Sequence, residues 1–380
     1  MNFDFTDDQA SLRDAVARWV DKGFSFSRRH ALAKAGGKTR AVYAELAELG
    51  LTGLTGLAVP EAHGGMGFGA IEAMVVMEEL GRGLVNAPYA AGALIAPTLL
   101  SAAPAAVQAA WLPKIASAEA LVVLAHQERA ARYRLHHVTT RAVAAGSGHT
   151  ITGAKSIVPA GDEADAFIVP ARLSGADADA AGIGLFLVER GASGLALRGY
   201  PTQDGARAAE LTLTATPATL ITDDGGALLA QAVDVGIAAL CAEAVGLMDK
   251  LVAITVDYMN TRKQFGATLA SFQALRHRIA DVKMQLELAR SMSYFASLKL
   301  NDAPPARRFA LAQSKLQLGT SMRFVGQQCI QLHGGIGMTD EYIASHYFKR
   351  LTVMEMSFGD TLHQLGEVSA RMQDTAGVFA

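Results

Sequence analysis

The sequence predicts an α+β chain that is mostly helical: an N-terminal helical domain over residues 1–120, a middle antiparallel β-barrel or sandwich domain over 121–225, and a C-terminal four-helix bundle over 226–380. Three observations carry this reading. Apolar residues recur at helical spacing at both ends of the chain, the period falls toward two between about Leu121 and Ile221, and clusters of glycine, proline and aspartate mark the changes. Length agrees, since 380 residues exceed one ordinary core at roughly 100–200 residues per domain.

In the first block Leu12, Ala15, Val16, Trp19 and Val20 share a helix face, and Tyr43, Leu46, Ala47 and Leu49 begin a second that Gly50 ends. Ile71, Met74, Val75, Val76 and Leu80 give a third, stopped at Gly81. Between the last two, Val59 to Gly67 is too rich in glycine for regular structure and reads as a loop. The middle block holds short β-branched runs at 121–124, 149–152, 167–169, 185–188 and 211–214. Turns at Gly146-Ser147-Gly148, Gly161-Asp162, Gly175-Ala176-Asp177 and Asp204-Gly205 separate them. In the last block Val233, Ile237, Leu240, Ala244, Leu247, Leu251, Ile254 and Tyr258 step by alternating fours and threes, the seam of a long packed helix. Further helices run through Leu275 to Ala289, Leu311 to Leu332 and about Thr361 to Gln373, with Asn301 to Pro305 as an interruption.

Composition limits the partners. With 34 basic and 36 acidic side chains the formal charge is −2, so no bulk field favours nucleic acid or an anionic membrane. No run is expected to reach the ~20 apolar residues of a membrane span, and the acidic start at Met1 to Asp8 is unlike a secretory signal. Cys241 and Cys329 lie in apolar periodic stretches, which reads as two reduced, buried thiols in a cytoplasmic protein. His333, His136 and His137 have no metal-ligand spacing with carboxylates, and no metal is expected.

Two stretches carry chemistry. The first is Arg262-Lys263-Gln264-Phe265-Gly266 with Leu269 and Phe272-Gln273; the second is Gln331-Leu332-His333-Gly334-Gly335-Ile336-Gly337-Met338 with Glu341-Tyr342. Taken singly, Arg262-Lys263 reads as a solvated helix end, Gly334-Gly335 as a helix stop, and Phe265 and Phe272 as core residues. Together, and with Phe3 to Gln9, Ala47 to Leu51, Val59 to Gly67 and Glu78 to Arg82 ahead of them, they make the whole chain resemble the acyl-CoA dehydrogenases. These are flavoenzymes that oxidise acyl-CoA thioesters to 2-enoyl-CoA.

The resemblance implies FAD, with its ADP half held mainly across a subunit boundary by Arg262, Gln264, Phe265, Phe272, Gln273, Gln331, Gly334 and Gly335. A cation and closely approached backbone N–H groups suit a pyrophosphate. It also implies an acyl-CoA substrate, a homodimer or homotetramer or a heteromer with a homologous chain, and an electron-transfer flavoprotein as acceptor.

The sequence departs from the family at the base that removes the substrate's α-proton. The usual glutamate position falls on Phe358, and the position used by a minority branch falls on Gly236. Two carboxylates lie nearby. Asp360 is a candidate base, or a helix N-cap or flavin-side contact at the last helix, and Glu243, in an apolar stretch, is a candidate base or an arginine partner. The flavin-side segments differ as well. Gln127-Glu128-Arg129 and Arg132-Tyr133-Arg134 stand where the family has Thr-Glu-Pro and Gly-Ser-Asp, and Lys155-Ser156-Ile157-Val158-Pro159 stands for Lys-x-Trp-Ile-Thr. Pro159 offers no N–H. This variation resembles the branch containing the small subunit of pimeloyl-CoA dehydrogenase and subunits of heteromeric steroid-side-chain dehydrogenases. Three functions follow as expectations: a dehydrogenase complete in itself, a non-catalytic subunit that lends its ADP site to a heteromer, and a flavin monooxygenase on the same scaffold.

Overall fold

The computed structural model describes residues 4–49, 53–146 and 148–375. Phe3, Gly50, Leu51 and Ser147 of the motifs and turns above lie outside the described residues. By packing, the described residues form two units, one drawn from 1–30, 70–85 and 237–380, the other from 31–69 and 86–236.

The first unit is helical. Helix α1 (Asp7–Gly23) starts at a capping box: the Thr6 hydroxyl accepts from Gln9 N at 3.3 Å, and Gln9 Oε1 accepts from Thr6 N at 3.1 Å. This is the local reason for Thr6 and Gln9 in the opening motif. α1 buries Val16 and Val20 and packs on α4 (Ala70–Arg82). Gly81 does not stop α4 as its sequence suggests; the helix runs on to Arg82. It is a crossing point with α7 (Gly226–Thr261). A Cβ on Gly81 would lie 2.1 Å from Glu243 O, and one on Gly246 would lie 1.8 Å from Glu78 O, so two glycines let the backbones touch.

Helix α7 enters this unit from Ile237, with Leu240, Leu247 and Leu251 buried along its predicted seam. Its composition corrects one expectation. It is long and apolar enough to cross a membrane, with mean hydropathy 1.7 over a stretch that is 78% buried in the fold, the mark of a core helix. α8 (Gln273–Lys299) and α9 (Pro304–His333) follow as predicted, and α11 (Thr361–Thr375) closes the chain. One helix, α10 (Ile343–Met356), was not visible in the sequence because Lys349 and Arg350 interrupt its apolar spacing. It joins the bundle alongside α9. Beside the α4–α7 crossing, Glu78 meets Arg13 at 3.0 Å and Arg290 at 2.7 Å. Arg290 also holds Asp249 at 3.0 Å.

The second unit contains α2's last residues, α3 (Arg40–Ala47), α5 (Ala96–Leu100), α6 (Ala105–Ala116) and a barrel; α2 spans Phe26–Lys34. Its strands are β1 (Val122–Leu124), β2 (Arg141–Ala145), β3 (Gly148–Pro159), β4 (Ala166–Arg172), β5 (Ile183–Glu189), β6 (Leu195–Pro201) and β7 (Arg207–Thr222). The ring closes β4–β2–β3–β7–β5–β4, with β1 flanking β4 and β6 flanking β7. Closure removes the free edges of these strands. The β1–β4 and β2–β4 pairings are parallel, where the sequence led us to expect antiparallel throughout. Tyr43, Leu121, Val123, Phe167, Val169, Phe186 and Val188 fill the core. Arg172, fully buried, donates to six backbone carbonyls, those of Val138, His136, Ser174, Asp177, Asp179 and Ala181, at 2.7–3.5 Å. Its charge is satisfied without a carboxylate.

Candidate functional site

The two motif stretches come together at one end of the bundle. α7 ends at Thr261, and a two-strand hairpin, β8 (Lys263–Gln264) and β9 (Ala267–Thr268), follows at once. Its two turn residues, Phe265 and Gly266, both have positive φ (56° and 80°), the geometry of a two-residue hairpin turn, and Gly266 takes it without strain. The turn thrusts the Phe265 ring outward. It is 92% exposed and meets Phe272 edge-on, with centroids 6.3 Å apart. Phe265 is thus not a core residue of this chain. Arg262, Gln264 and Gln273 are also exposed.

The second stretch is brought alongside by three rings. Tyr258, one turn before Arg262, stacks on His333 at 4.7 Å, and Tyr342 tilts against both. His333 Nδ1 donates to Cys329 O at 2.8 Å, which leaves Nε2 to accept from the Tyr342 hydroxyl at 3.3 Å. Burial holds its pKa below the usual histidine value, favouring this neutral form. His333 therefore has a packing role. Gln331, Gly334 and Gly335 beside it are exposed; Gly334 adopts φ 65°, ψ −143°, and no atom lies within 4 Å of a Cβ built on either glycine. A ligand can approach this backbone closely. Nothing in the sequence pattern had singled out Tyr258 as more than a seam residue.

The candidate bases sit elsewhere in the bundle. Glu243, 7% exposed, forms a two-point ion pair with Arg350 of α10 at 2.7 and 2.9 Å. Asp360 Oδ1 accepts from His363 N at 2.8 Å at the start of α11, the N-cap arrangement. Gly236 is buried within α7. Phe358 occupies a left-handed turn (φ 55°, followed by Gly359 at 101°), and Gln364 Nε2 donates to its carbonyl at 2.8 Å. Behind the turn, Lys315 is fully buried and donates to the carbonyls of Met354 and Glu355 at 3.1 and 2.8 Å, capping the end of α10. Burial lowers its pKa to about 8. Glu355 accepts from the backbone N–H of Thr361 at 3.0 Å. Of Lys315 and Glu355, Lys315 has a signal in the sequence. It interrupts the apolar face Leu311, Leu318, Met322 at helical spacing.

In the barrel, Glu128 is turned inward. It accepts from Lys155 Nζ at 2.7 Å and from the backbone N–H and hydroxyl of both Thr139 and Thr140. Burial opposes its ionisation, but Lys155 and the threonines prevail and hold its pKa at about 2. Lys155 itself is fully buried, with its pKa pulled down to about 8 by desolvation against the pull of Glu128. Ser156 N donates to Gln127 O at 2.8 Å, so the segment before Pro159 has its N–H turned to the neighbouring loop. His126, half-buried beside Lys155, is held neutral down to a pKa of about 4, first by desolvation and then by the lysine.

A cluster of His30, Asp340 and His346 has ligand atoms close enough for a metal ion. Its hydrogen bonding opposes one. Arg29 Nη1 lies 2.8 Å from His346 Nδ1, so that nitrogen accepts, and Nε2, 2.8 Å from Asp340 O, carries the proton. A metal-binding imidazole needs the reverse polarity.

Family models describe two parts of the chain. "Acyl-CoA dehydrogenase, N-terminal domain" matches residues 6–119, and "Acyl-CoA dehydrogenase, C-terminal domain" matches residues 223–373. Among curated relatives, the probable acyl-CoA dehydrogenase YngJ of Bacillus subtilis is 28% identical over 94% of this chain and 96% of its own length. Acyl-CoA dehydrogenase FadE27 of Mycobacterium tuberculosis is 26% identical over 84% of this chain and 85% of its own. Among solved structures, a variant of the Tcur3481-Tcur3483 steroid ACAD superposes with TM-score 0.87 at 27% identity, covering 98% of this chain and 99% of that one. The helical ends, the barrel between them and the paired motif stretches thus have one common explanation: the chain belongs to the acyl-CoA dehydrogenase family.

Proposed function

We propose that this chain is the FAD-binding, base-deficient subunit of a heteromeric acyl-CoA dehydrogenase that oxidises an acyl-CoA thioester to 2-enoyl-CoA. The observation that carries the reading is the state of the carboxylates. Glu243 is committed to Arg350, Asp360 caps α11, and Phe358 stands at the family's usual glutamate position. A general base must be within reach of the α-proton with a lone pair to spare. Arg350 engages both oxygens of Glu243 and the α11 cap engages Oδ1 of Asp360, which supports a base supplied by a homologous partner chain. Similarity to a steroid ACAD whose name joins two proteins supports the same reading.

The residues at the bundle end fit the ADP half of FAD. Arg262 offers a fork for a phosphate, Gly334 and Gly335 leave open backbone beside it, and the outward Phe265 provides an aromatic face. Gln264, Phe272, Gln273 and Gln331 complete the set. Bound FAD supplies the two-electron acceptor for the oxidation. This chain's part is to hold the dinucleotide, while the Tyr258–His333–Tyr342 stack keeps its two motif stretches in register. An electron-transfer flavoprotein then serves as the acceptor.

Stoichiometry tests the assignment. Expressed with a homologous partner chain, the complex is expected to be yellow and to be bleached by acyl-CoA without oxygen, and Arg262→Ala is expected to lower its flavin content. One FAD per chain in a homo-oligomer of this chain alone, rapidly bleached by acyl-CoA, contradicts the reading. Reduction by an external reductase, but not by acyl-CoA, supports the monooxygenase instead.

A further inference from the structure

Asp340 lies two residues beyond the 3₁₀ turn Gly334–Met338 and two before Tyr342, and side chains from two helices converge on it. His30 of α2 meets its Oδ2 at 2.9 Å, Lys349 of α10 meets its Oδ1 at 3.3 Å, and its backbone carbonyl accepts from His346 Nε2 at 2.8 Å. Phe26 closes the cluster, stacked on His30 at 5.5 Å and edge-on to His346 at 5.1 Å. Hydrogen bonds carry the restraint back toward the turn. Ser345 Oγ donates to the carbonyls of Thr339 and Tyr342, and Thr339 donates through its N–H and its hydroxyl to Ile336 O. Residues 336, 339, 340 and 342 are thereby tied to one another and, through Asp340, to α2 and α10, while Gly334 and Gly335 keep open space beside them.

The polarity of the His346 ring decides how this clamp responds to pH. A guanidinium only donates, so Arg29 Nη1, 2.8 Å from His346 Nδ1, requires that nitrogen to be unprotonated; the one proton of the neutral ring sits on Nε2 and serves Asp340 O. Burial first, then Arg29 and Lys349, hold the pKa of His346 below the usual histidine value against the pull of Asp340. With His30, these are the charged or titratable groups that face the ring among the described contacts. A second proton has to enter at Nδ1, where it points at the Arg29 guanidinium within a side chain only 6% exposed. His30 acts in the opposite sense, since its protonation tightens the contact with Asp340. That contact is 52% exposed on the Asp340 side, so water and salt screen it, whereas the buried repulsion between His346 and Arg29 is screened far less. The repulsion wins. Asp340 stays ionised throughout, because His30 and Lys349 hold its pKa at about 2. Folded His346 takes up its second proton less readily than the unfolded chain does, so the clamp is complete above the usual histidine range and is lost as pH falls.

We propose that Arg29 and His346 are positioning residues for the dinucleotide turn: they hold the 336–342 segment in place while the His346 ring is neutral and release it when the ring takes up a second proton, so that acid loosens the bound dinucleotide. The role rests on the reading that Gly334 and Gly335 contact FAD.

Release of FAD from the intact flavin-loaded complex, followed by fluorescence from about pH 8 to about pH 5, tests this beside hydrogen exchange of the 334–342 peptide in the same samples. Release is expected to be at least tenfold faster at the acid end, with exchange of the peptide, corrected for its intrinsic pH dependence, rising in parallel. His346→Gln keeps a side-chain N–H at the reach of Nε2 but cannot take up a proton, and should flatten the acid limb of both profiles; a merely structural histidine would leave the limb in place. Asp340→Asn loses the ion pairs to His30 and Lys349 but keeps the carbonyl, so it should speed release at every pH while the limb persists. Release independent of pH in the unaltered complex overturns the proposal, as does an acid limb that survives His346→Gln. Nitrogen-15 NMR of the His346 ring needs no variant: Nδ1 is expected to be unprotonated at neutral pH, and a proton found there overturns the clamp. If the peptide shows the His346-dependent acid limb while the chain retains no flavin, the clamp stands and the FAD reading falls.

Discussion

Glu243 and Arg350 provide a test that separates a structural pair from a catalytic base. The carboxylate is 9% and the guanidinium 20% exposed at the side chain, and they are joined by two hydrogen bonds of 2.7 and 2.9 Å. Arg350→Met leaves an uncompensated carboxylate against the α4–α7 crossing, and breaking such a pair costs about 3–5 kcal/mol. In a unit of this size 1 kcal/mol moves the melting temperature by roughly 2–4 °C, so a fall on the order of 10 °C is expected. Replacing both partners with apolar residues removes the orphaned charge as well as the pair. Glu243→Met/Arg350→Met should therefore recover most of the loss. The assay is a double-mutant cycle of thermal unfolding, read beside acyl-CoA-driven flavin reduction per folded complex. The reasoning fails if Glu243→Gln abolishes flavin reduction at an unchanged melting temperature, because that is the signature of a base.

Other consequences are open to direct measurement. Gly334→Ala should weaken FAD retention at least tenfold while shifting the melting temperature only a few degrees, since φ 65°, ψ −143° is closed to alanine although the surrounding space is open; unchanged retention contradicts a dinucleotide role for this turn. Gly246→Ala should destabilise the bundle by about 3 kcal/mol, because its Cβ meets Glu78 O at 1.8 Å, and a melting curve identical to that of the unaltered protein rules out the close crossing. His126 has a folded pKa of about 4, below its unfolded value of about 6.5, so the folded barrel binds fewer protons between those limits. Its stabilising contribution is complete above pH 6.5 and lost as pH falls toward 4, at about 1.4 kcal/mol per unit. His126→Phe should flatten that slope in pH-dependent denaturant melts.

Much of this architecture was legible because the physics is local. The α7 seam from Val233 to Tyr258, the short continuous apolar runs of β4 and β5 and the capping residues Thr6 and Gln9 each answer to neighbours a few residues away. The Arg262 and Gly334 stretches were legible for a different reason, that several uncommon residues occur together in a fixed order. What escaped depends on distant partners. Gly81 reads as a helix stop until α7 is brought against it, and α10 is obscured by Arg350, whose place inside the bundle makes sense only with Glu243 opposite. The alternative roles of Glu243 and Asp360, base or structural partner, are equivalent in sequence. Only the positions of Arg350 and the His363 N–H distinguish them.

The central claim is that this chain holds flavin without a base of its own, and exchange of the substrate's α-proton measures it most directly. Incubated in deuterated buffer with an acyl-CoA and no partner chain, the flavin-loaded protein is predicted to leave the α-position unlabelled, with labelling appearing once the homologous chain is added. Rapid α-deuteration by this chain alone would contradict the account.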